Sequence, residues 1–411
     1  MSLQTDAFAI INDALKAASP DLAVHSALTK IELPADRLVL VSIGKAAWRM
    51  AKSASDMLGD RIDSGIVITK YDHSGGDIPR ILCCEAGHPI PDANTYAATQ
   101  RAIDLVSDLS QNDAVLFLVS GGGSALFEKP CISLEEMQRI TRDLLCCGAD
   151  IVEINTLRKR FSQVKGGRFA ELCKPAQVYA IVLSDILGDP LDMIASGPSY
   201  PDSSTCAQAQ EIAAKYHLQL SPEAEACLRQ ETPKALSNVH TQITGSVRQL
   251  CEAAQLTCRE LGYRPVLLTT QLCCTARDAG SFLASIARTH ADTKEPLAFI
   301  AGGETVVVVT GDGMGGRNQE LALSAALGID GLDNVCIFSV GSDGTDGPTD
   351  AAGGYVDGQT VAALLSQSEN PRAYLDKNDA YHALQKSSGL IVTGPTGTNV
   401  NDLSVVLIRP R

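Results

Sequence analysis

Short, continuously apolar segments alternate with helical patterns along almost the whole of this 411-residue chain. Runs such as AVLFLVS (114–120) and QVYAIVLS (177–184) predict strands that are buried on both faces. Because buried parallel strands need helices on both sides of the sheet, the alternation predicts an α/β fold with mostly parallel sheet. The predicted strands lie at 37–43, 64–69, 80–85, 114–120, 177–184, 264–270, 296–301, 304–310, 335–340, 389–394 and 402–408.

The polar stretch RQETPKALSN (229–238) is the best candidate for a domain boundary. We expect a Rossmann-like three-layer domain over residues 1–235 and a second α/β domain over residues 236–411, with terminal segments free to pack on the other domain. Only two glycines separate the strands predicted at 296–301 and 304–310. A connection this short predicts an antiparallel pair, and therefore a mixed sheet in the second domain.

The formal net charge of −14 repels phosphate backbones and anionic lipids, which argues against nucleic acid and membranes as partners. No apolar run approaches the roughly 20 residues of a membrane-spanning helix. The N-terminal sequence also lacks the basic and apolar regions of a secretory signal. We therefore expect a cytoplasmic protein, and the sequence leaves open whether it forms a homodimer.

Glycine-rich turns follow five of the predicted strands. They are Gly44-Lys45, Gly121-Gly122-Gly123-Ser124 directly after Ser120, Gly188-Asp189 shortly after Asp185, Gly302-Gly303-Glu304, and Gly341-Ser342-Asp343-Gly344. Ligands of open α/β sheets bind beyond the carboxyl ends of the strands, where glycine lets backbone N–H groups approach a phosphate. One such turn has a structural explanation, because tight turns favour glycine, but five together predict a site for an anionic ligand.

Acidic residues at these turns fit a magnesium site, because Mg²⁺ is usually bound through one or two carboxylates and the substrate phosphates. We predict Asp185 and Asp189 as the metal ligands, and the sequence leaves open whether Asp185 acts instead as a base. Two cations of the basic segment 154–169, Arg158 and Lys165, are candidate anion ligands, although a solvated helix face is the alternative. Arg317 ends the segment GDGMGGR, where a guanidinium can form a bidentate pair with an anion.

A GxGxxG motif at Gly311, Gly313 and Gly316 lies between the strand predicted at 304–310 and a helix predicted at 317–327. That context fits a dinucleotide-binding fingerprint and keeps open a nicotinamide-dependent oxidoreductase. The sequence has neither a Walker A motif nor GxSxG, which argues against P-loop enzymes and hydrolase triads.

Segments from residue 41 to residue 403 together resemble the glycerate 2-kinases of the MOFRL type, once grouped with hydroxypyruvate reductases. The matching segments are VSIGKAAWRMA, EAGHPIPD, SGGGSAL, INTLRKRFSQVKGGR, VLSDILGDPLDMIASGP, GGETVVVVTGDGMGGRNQEL, GSDGTDGPTDAAGG and TGPTGTNVNDL. Three features depart from the family pattern. Asp312 and Met314 stand where the family often carries a basic residue, the turn that usually reads close to IGSN is ITGSV here, and Pro190 directly follows Asp189 in the SDxxGD turn.

The resemblance implies two α/β domains with the active site in the cleft between them. It implies transfer of the γ-phosphoryl group of ATP to the 2-hydroxyl of D-glycerate, with ATP and Mg²⁺ as cofactors. An NAD(P)H-dependent hydroxypyruvate reductase is the alternative function. The resemblance predicts Lys45 and Arg317 as catalytic residues, and Asp185, the acid that follows the strand predicted at 177–184, is the third. The predicted substrate- and phosphate-binding residues are Gly44, Ser120, Gly121, Gly122, Gly123, Ser124, Arg158, Lys165, Glu304, Asn318 and Asp343.

Overall fold

The computed structural model describes residues 2–34 and 36–411, with the backbone alone described for Leu145. The chain divides into two compact units. The N-terminal unit comprises residues 23–244, and the C-terminal unit comprises residues up to 22 together with 245–411.

A six-stranded sheet with a doubly wound strand order forms the centre of the N-terminal unit. Its strands are β1 (Leu38–Ile43), β2 (Ser64–Lys70), β3 (Ile81–Ala86), β4 (Ala114–Val119), β5 (Gln177–Leu183) and β6 (Val239–Gly245). Their order in the sheet is β3-β2-β1-β4-β5-β6, and the pairs from β3 to β5 are parallel. The direction in which the chain adds strands therefore reverses between β1 and β4.

Apolar side chains alternate between the two faces of this sheet, as a doubly covered sheet requires. Val39 and Val41 of β1 belong to a core on one face, whereas Leu38 and Leu40 belong to a core on the other. The helices in this part of the chain are α2 (Pro20–Leu28), α3 (Ala47–Leu58), α4 (Ala93–Val106), α5 (Gly123–Leu126), α6 (Leu134–Cys146), α7 (Ile151–Arg160), α8 (Arg168–Leu172), α9 (Cys206–Lys215) and α10 (Pro222–Leu228).

The sheet of the C-terminal unit is mixed. Its strands are β7 (Arg264–Leu272), β8 (Leu297–Gly303), β9 (Val335–Gly341), β10 (Gly353–Asp357), β11 (Leu390–Ile391) and β12 (Asp402–Ile408), in the order β11-β10-β9-β12-β8-β7. Only the β7–β8 pair is parallel among the described pairs. The predicted fold class, with one mostly parallel and one mixed sheet, is confirmed.

Seven helices of the described chain accompany the second sheet. They are α1 (Leu3–Ala17), α11 (Val247–Glu260), α12 (Ala276–Thr289), α13 (Arg317–Ile329), α14 (Thr360–Ser366), α15 (Pro371–Asp376) and α16 (Ala380–Lys386). Across residues 2–34 and 36–411, no helix is long and apolar enough to cross a membrane.

The strand predicted at 304–310 does not form, and its predicted antiparallel pairing with 296–301 is wrong. β8 is already flanked by β7 on one edge and by the antiparallel β12 on the other, so neither edge is open to a further strand. Val306 makes an isolated bridge to Thr275, and Val309 is 75% exposed. Four consecutive valines have high strand propensity, but a strand also needs a free partner edge.

The division of the chain differs from the expected boundary between residues 235 and 236. β6 follows that boundary in sequence, yet it completes the N-terminal sheet beside β5, where the Val178 N–H donates to the Asn238 carbonyl at 2.7 Å. At the other end of the chain, α1 packs on α11 within the C-terminal unit. The expected position of the site in a cleft between the domains stays a prediction.

Close packing of α12 on α13 depends on Gly280. A Cβ added there would lie 2.2 Å from the Leu321 carbonyl oxygen, a backbone atom that cannot easily move. We expect Gly280→Ala to lower the free energy of unfolding by about 1–3 kcal/mol, as overpacking does. Urea unfolding measures this, and Ser281→Ala on the exposed side of the same helix is the control. Equal stability of the two variants would show that the helices can separate at no cost.

Candidate active site

The turns after β1 and β4 lie side by side at the point where the strand order reverses, which is the usual ligand position in doubly wound sheets. The Lys45 N–H donates to the Gly121 carbonyl at 2.9 Å. The buried Ser120 hydroxyl donates to the Ile43 carbonyl and accepts from the Ala46 N–H, both at 3.1 Å. Ser120, predicted to bind substrate, thus holds the two turns together.

Three candidate side chains lie against the glycines of the second turn. A Cβ on Gly121 would lie 2.3 Å from Asp185 Oδ2, so the carboxylate packs directly on the glycine backbone. A Cβ on Gly122, which has a φ of +85°, would lie 3.1 Å from Lys45 Cγ and 3.1 Å from the Cδ2 carbon of His88. The structure therefore brings two of the predicted catalytic residues, Lys45 and Asp185, to one turn and adds His88.

Lys45 is exposed, and within the described part of the chain no carboxylate forms an ion pair with its ammonium group. His88 is half-buried. Burial lowers the pKa of His88 below its usual range, and the positive charges of Lys45, Lys70 and His73 lower it further. A cation without a carboxylate partner and a neutral imidazole thus flank the same glycine, which suits an anionic ligand.

Asp185 and Asp189, the predicted metal ligands, lie in the loop after β5. Asp189 has a φ of +53°, and its Oδ1 atom is buried without a hydrogen-bond donor. Among the described residues, no group of three or more His, Cys, Asp or Glu side chains is arranged to hold a metal ion. Two carboxylates fit a Mg²⁺ ion that takes its remaining ligands from phosphates and water, and the orphaned oxygen of Asp189 is suited to a cation.

Ser124, in the second half of the glycine-rich turn, contacts a strained segment that the sequence did not predict. Ala195 and Ser196 have φ values of +51° and +60°, in the left-handed region that costs non-glycine residues about 1–3 kcal/mol. The Ser196 hydroxyl lies 3.1 Å from the Ser124 hydroxyl and donates to Asn155 Oδ1 at 3.0 Å. Ser124, predicted to bind phosphate, is therefore tied to a buried network. Neither Ala nor Ser signals a positive φ in a sequence.

Lys165 does not lie where a phosphate can reach it, and its predicted role as an anion ligand needs correction. Its side chain is fully buried, and its ammonium group donates to the carbonyls of Ser124 and Phe127 at 2.9 Å each. Burial lowers the pKa of Lys165 to about 8, against the charge of Glu128 at 3.6 Å. Lys165 therefore donates hydrogen bonds to carbonyl groups at the end of α5, and in this way stabilises the glycine-rich turn from its buried side.

Most of the basic segment 154–169 likewise faces the interior. The Lys159 ammonium contacts Asp202 at 3.1 Å, and the buried Arg160 donates to the Thr232 hydroxyl at 2.7 Å. Arg158 differs, because it is half-buried and the described residues offer it no ion pair. Of the two cations predicted in this segment, Arg158 alone keeps a solvent-accessible side chain.

In the C-terminal unit, Arg317 is anchored by two carboxylates. Its Nε and Nη2 groups donate to Asp402 at 2.5 and 2.9 Å, and Nη1 donates to Glu304 at 2.9 Å. Burial opposes the charge of Arg317, but the hydrogen bonds and charge of Asp402 and the charge of Glu304 raise its pKa above the usual range. Three of the five N–H donors of a guanidinium are used in this way, and the side chain is 31% exposed.

Arg317 and Glu304 line a cavity of about 750 Å³, within the size range of small-molecule sites. Asp343 is on its polar side, and Val306 and Val309 contribute apolar surface. The three residues Glu304, Arg317 and Asp343 of the predicted site are thus brought to one cavity, which was not evident from their separation in the sequence.

Asn318 lies behind this cavity, and the prediction that it contacts substrate needs correction. It is 1% exposed, and its backbone N–H and side-chain amide both donate to Asp346 Oδ1. Asp346 also accepts from the Gln319 N–H at 2.8 Å, so this carboxylate caps the N-terminus of α13. Burial raises the pKa of Asp346 to about 6, although these hydrogen bonds act in the opposite direction.

The GxGxxG motif lacks the structural context of a dinucleotide fingerprint, because no strand precedes it. Its glycines instead allow close packing of the backbone. A Cβ on Gly311 would lie 2.3 Å from the Lys377 carbonyl oxygen, and a Cβ on Gly316 would lie 2.3 Å from the Asp346 carboxyl carbon. The motif that kept a nicotinamide-dependent enzyme open therefore has a packing explanation.

Known proteins of the same architecture match the chain along its whole length. Residues 6–229 match a domain of unknown function (DUF4147), and residues 297–402 match the MOFRL family. The chain is 53% identical to the D-glycerate 2-kinase of Thermotoga maritima, with 99% of each protein covered. The chain belongs to the MOFRL family of glycerate kinases.

Other members of the MOFRL family agree with this assignment. The glycerate 2-kinase of Pyrococcus horikoshii is 37% identical over 100% of this chain and 98% of that protein. The crystal structure of glycerate kinase from Thermotoga maritima matches with a TM-score of 0.96 and covers 99% of both chains. In this MOFRL-family chain the turns with Lys45 and Asp185 fall in the first matched region, and the cavity with Arg317 falls in the second.

The bidentate pair of Arg317 with Asp402 should be important for stability. Arg317→Lys keeps the charge but loses the planar fork, which leaves the buried Asp402 with fewer donors. We expect the free energy of unfolding to fall by about 1–3 kcal/mol, measured by urea unfolding. Arg264→Lys is the matched control, because Arg264 is 65% exposed and pairs with Glu295 at the surface. A loss of the same size in both variants would contradict a special role of the Arg317 fork.

Proposed function

We propose that this chain is a glycerate 2-kinase, which transfers the γ-phosphoryl group of ATP to the 2-hydroxyl of D-glycerate and yields 2-phosphoglycerate and ADP. The observation that carries the proposal is the pair of turns at the strand-order reversal, where Lys45 lies against Gly122 and Asp185 against Gly121. The sequence identity with the D-glycerate 2-kinase of Thermotoga maritima supports the choice of substrates.

Phosphoryl transfer depends mainly on alignment and on neutralising charge, and these residues can supply both. The glycine backbone N–H groups and the Lys45 ammonium would bind phosphate oxygens. Asp185 and Asp189 would hold a magnesium ion, which when bound neutralises charge on the phosphates. The N–H donors of Arg317 that its two carboxylates leave unused would bind an anionic group in the cavity, with the guanidinium fixed by Asp402.

ATP as the donor, Mg²⁺ as the metal and the remaining site residues are parts of this proposal. A cytoplasmic location and the lack of nucleic-acid and membrane partners stay predictions from charge and sequence. The reductase alternative predicts oxidation of NAD(P)H with hydroxypyruvate, whereas the kinase predicts ADP release with D-glycerate. NAD(P)H oxidation without phosphorylation would overturn the proposal, and a product phosphorylated only at the 3-hydroxyl would overturn the assigned position.

Lys45→Ala tests the phosphate-binding role. We expect kcat/KM for glycerate phosphorylation to fall at least about a hundredfold, or roughly 2.7 kcal/mol, with the unfolding temperature nearly unchanged because the side chain is exposed. Lys52→Ala is the matched control, since Lys52 pairs with Asp56 on the surface of α3 and should not affect turnover. Equal activity in the two variants would remove Lys45 from the site.

Asp185→Asn tests the metal site. Without its negative charge, the loop should bind Mg²⁺ more weakly, so both kcat and the apparent affinity for Mg²⁺ should fall, the latter at least about tenfold. Calorimetric titration with Mg²⁺ and ATP measures binding apart from turnover. Asp60→Asn, at an exposed ion pair with Arg80, is the control. Wild-type turnover and Mg²⁺ dependence in Asp185→Asn would contradict the assignment.

A further inference from the structure

The segment EAGHPIPD (85–92) has no part in the chemistry described so far, yet it places a histidine beside the glycine-rich turn. His88 follows β3, whose carboxyl end lies at the same edge of the parallel sheet as the ends of β1 and β4. Residues at these strand ends are the ones that reach a ligand in a doubly wound sheet.

The imidazole of His88 lies directly against the turn. The position of a Cβ on Gly122 is 3.1 Å from His88 Cδ2 and 3.2 Å from His88 Nε2, and Lys45 Cγ is 3.1 Å from the same point. A Cβ at this position would crowd both the imidazole and the lysine stem, and the φ of +85° favours glycine as well. His88 Nε2 and the lysine side chain therefore border the same small space above Gly122.

Neither ring nitrogen of His88 has a hydrogen-bond partner within residues 2–34 and 36–411. The nearby His73 provides a contrast, because its Nδ1 atom lies 3.2 Å from the Lys45 carbonyl oxygen. A half-buried imidazole without a protein partner can exchange a proton with a bound substrate, whereas a structural histidine usually has its partner in place.

The surroundings favour the neutral form of His88. Burial is the largest influence on its pKa, followed by the charges of Lys45 after β1 and of Lys70 and His73 at the end of β2, and each of these lowers the pKa. No carboxylate counteracts them among the influences on this group. A neutral imidazole has a lone pair that can accept a proton, while Lys45 attracts the anion that reacts beside it.

We propose, on the basis of the kinase function above, that His88 is the general base that takes the proton from the 2-hydroxyl of glycerate. As that oxygen forms its bond to the γ-phosphorus, the bond between this phosphorus and the β,γ-bridging oxygen breaks, and the electron pair leaves with ADP. The hydroxyl proton passes to a ring nitrogen of His88 and then to solvent, and nothing is oxidised or reduced. Asp185 then acts on the phosphates and the metal ion.

The test compares His88→Gln and His88→Ala with wild type in the glycerate assay over a range of pH. A base must be deprotonated to act, so wild-type kcat/KM should fall as the pH drops through the pKa of His88, which burial and nearby positive charges hold below its usual value. Both variants should lose about 10²–10⁴-fold in kcat/KM, and this acidic limb should disappear. Added imidazole should restore activity to His88→Ala, with rescue increasing with the basicity of a substituted imidazole.

His25→Gln is the matched control and should keep kcat/KM near that of wild type, because His25 is an exposed residue of α2. Near-normal kcat/KM in His88→Gln overturns the proposal, and so does a loss that leaves the acidic limb in place and imidazole without effect. If a variant does not fold, the wild-type profile still decides, because a kcat/KM without any acidic limb excludes the base. Failure of the wild type to phosphorylate glycerate overturns the kinase function itself, which is a separate result.

Discussion

The side chain of Ser120 connects the turns after β1 and β4, and the candidate site depends on that connection. Its hydroxyl donates to the Ile43 carbonyl and accepts from the Ala46 N–H, while the backbones meet between Lys45 and Gly121. Because these hydrogen bonds are buried, breaking one would leave unpaired polar groups at a cost of about 1–3 kcal/mol. The two turns are therefore joined into one unit that carries Lys45, and His88 and Asp185 lie against it.

Buried cations support these joined turns from inside the N-terminal unit. Lys165 donates to carbonyls beneath the turn, and Lys159 and Arg160 join Asp202 and Thr232 deeper in the unit. A buried charge is tolerated only where it is paired and hydrogen-bonded, and each of these has such partners. The positive charge of the segment 154–169 thus holds the shape of the site, and Arg158 is left nearer the solvent.

The C-terminal unit uses the opposite arrangement, in which an arginine at a cavity wall is fixed by acids. Asp402 begins β12, the strand that occupies the edge of β8, and it receives two donors from Arg317 at the start of α13. The position of β12 therefore explains both why residues 304–310 lie outside the sheet and why Arg317 is held where it is. Since β12 fills the edge, the valine-rich segment lies along the cavity instead of in the sheet.

The sequence by itself determined the α/β class, most strands and the glycine-rich turns after them, and its family resemblance predicted Lys45, Asp185 and Arg317 as site residues. These features are local, because apolar period and turn chemistry can be read from neighbouring residues. The tertiary structure decided that neither edge of β8 was open to residues 304–310, that β6 completes the first sheet, and that Lys165 and Asn318 face inward. It also decided that His88 meets Gly122 and that Ser196 adopts a positive φ. These outcomes depend on contacts between residues far apart in the chain, and no local pattern records which distant partner a side chain will meet.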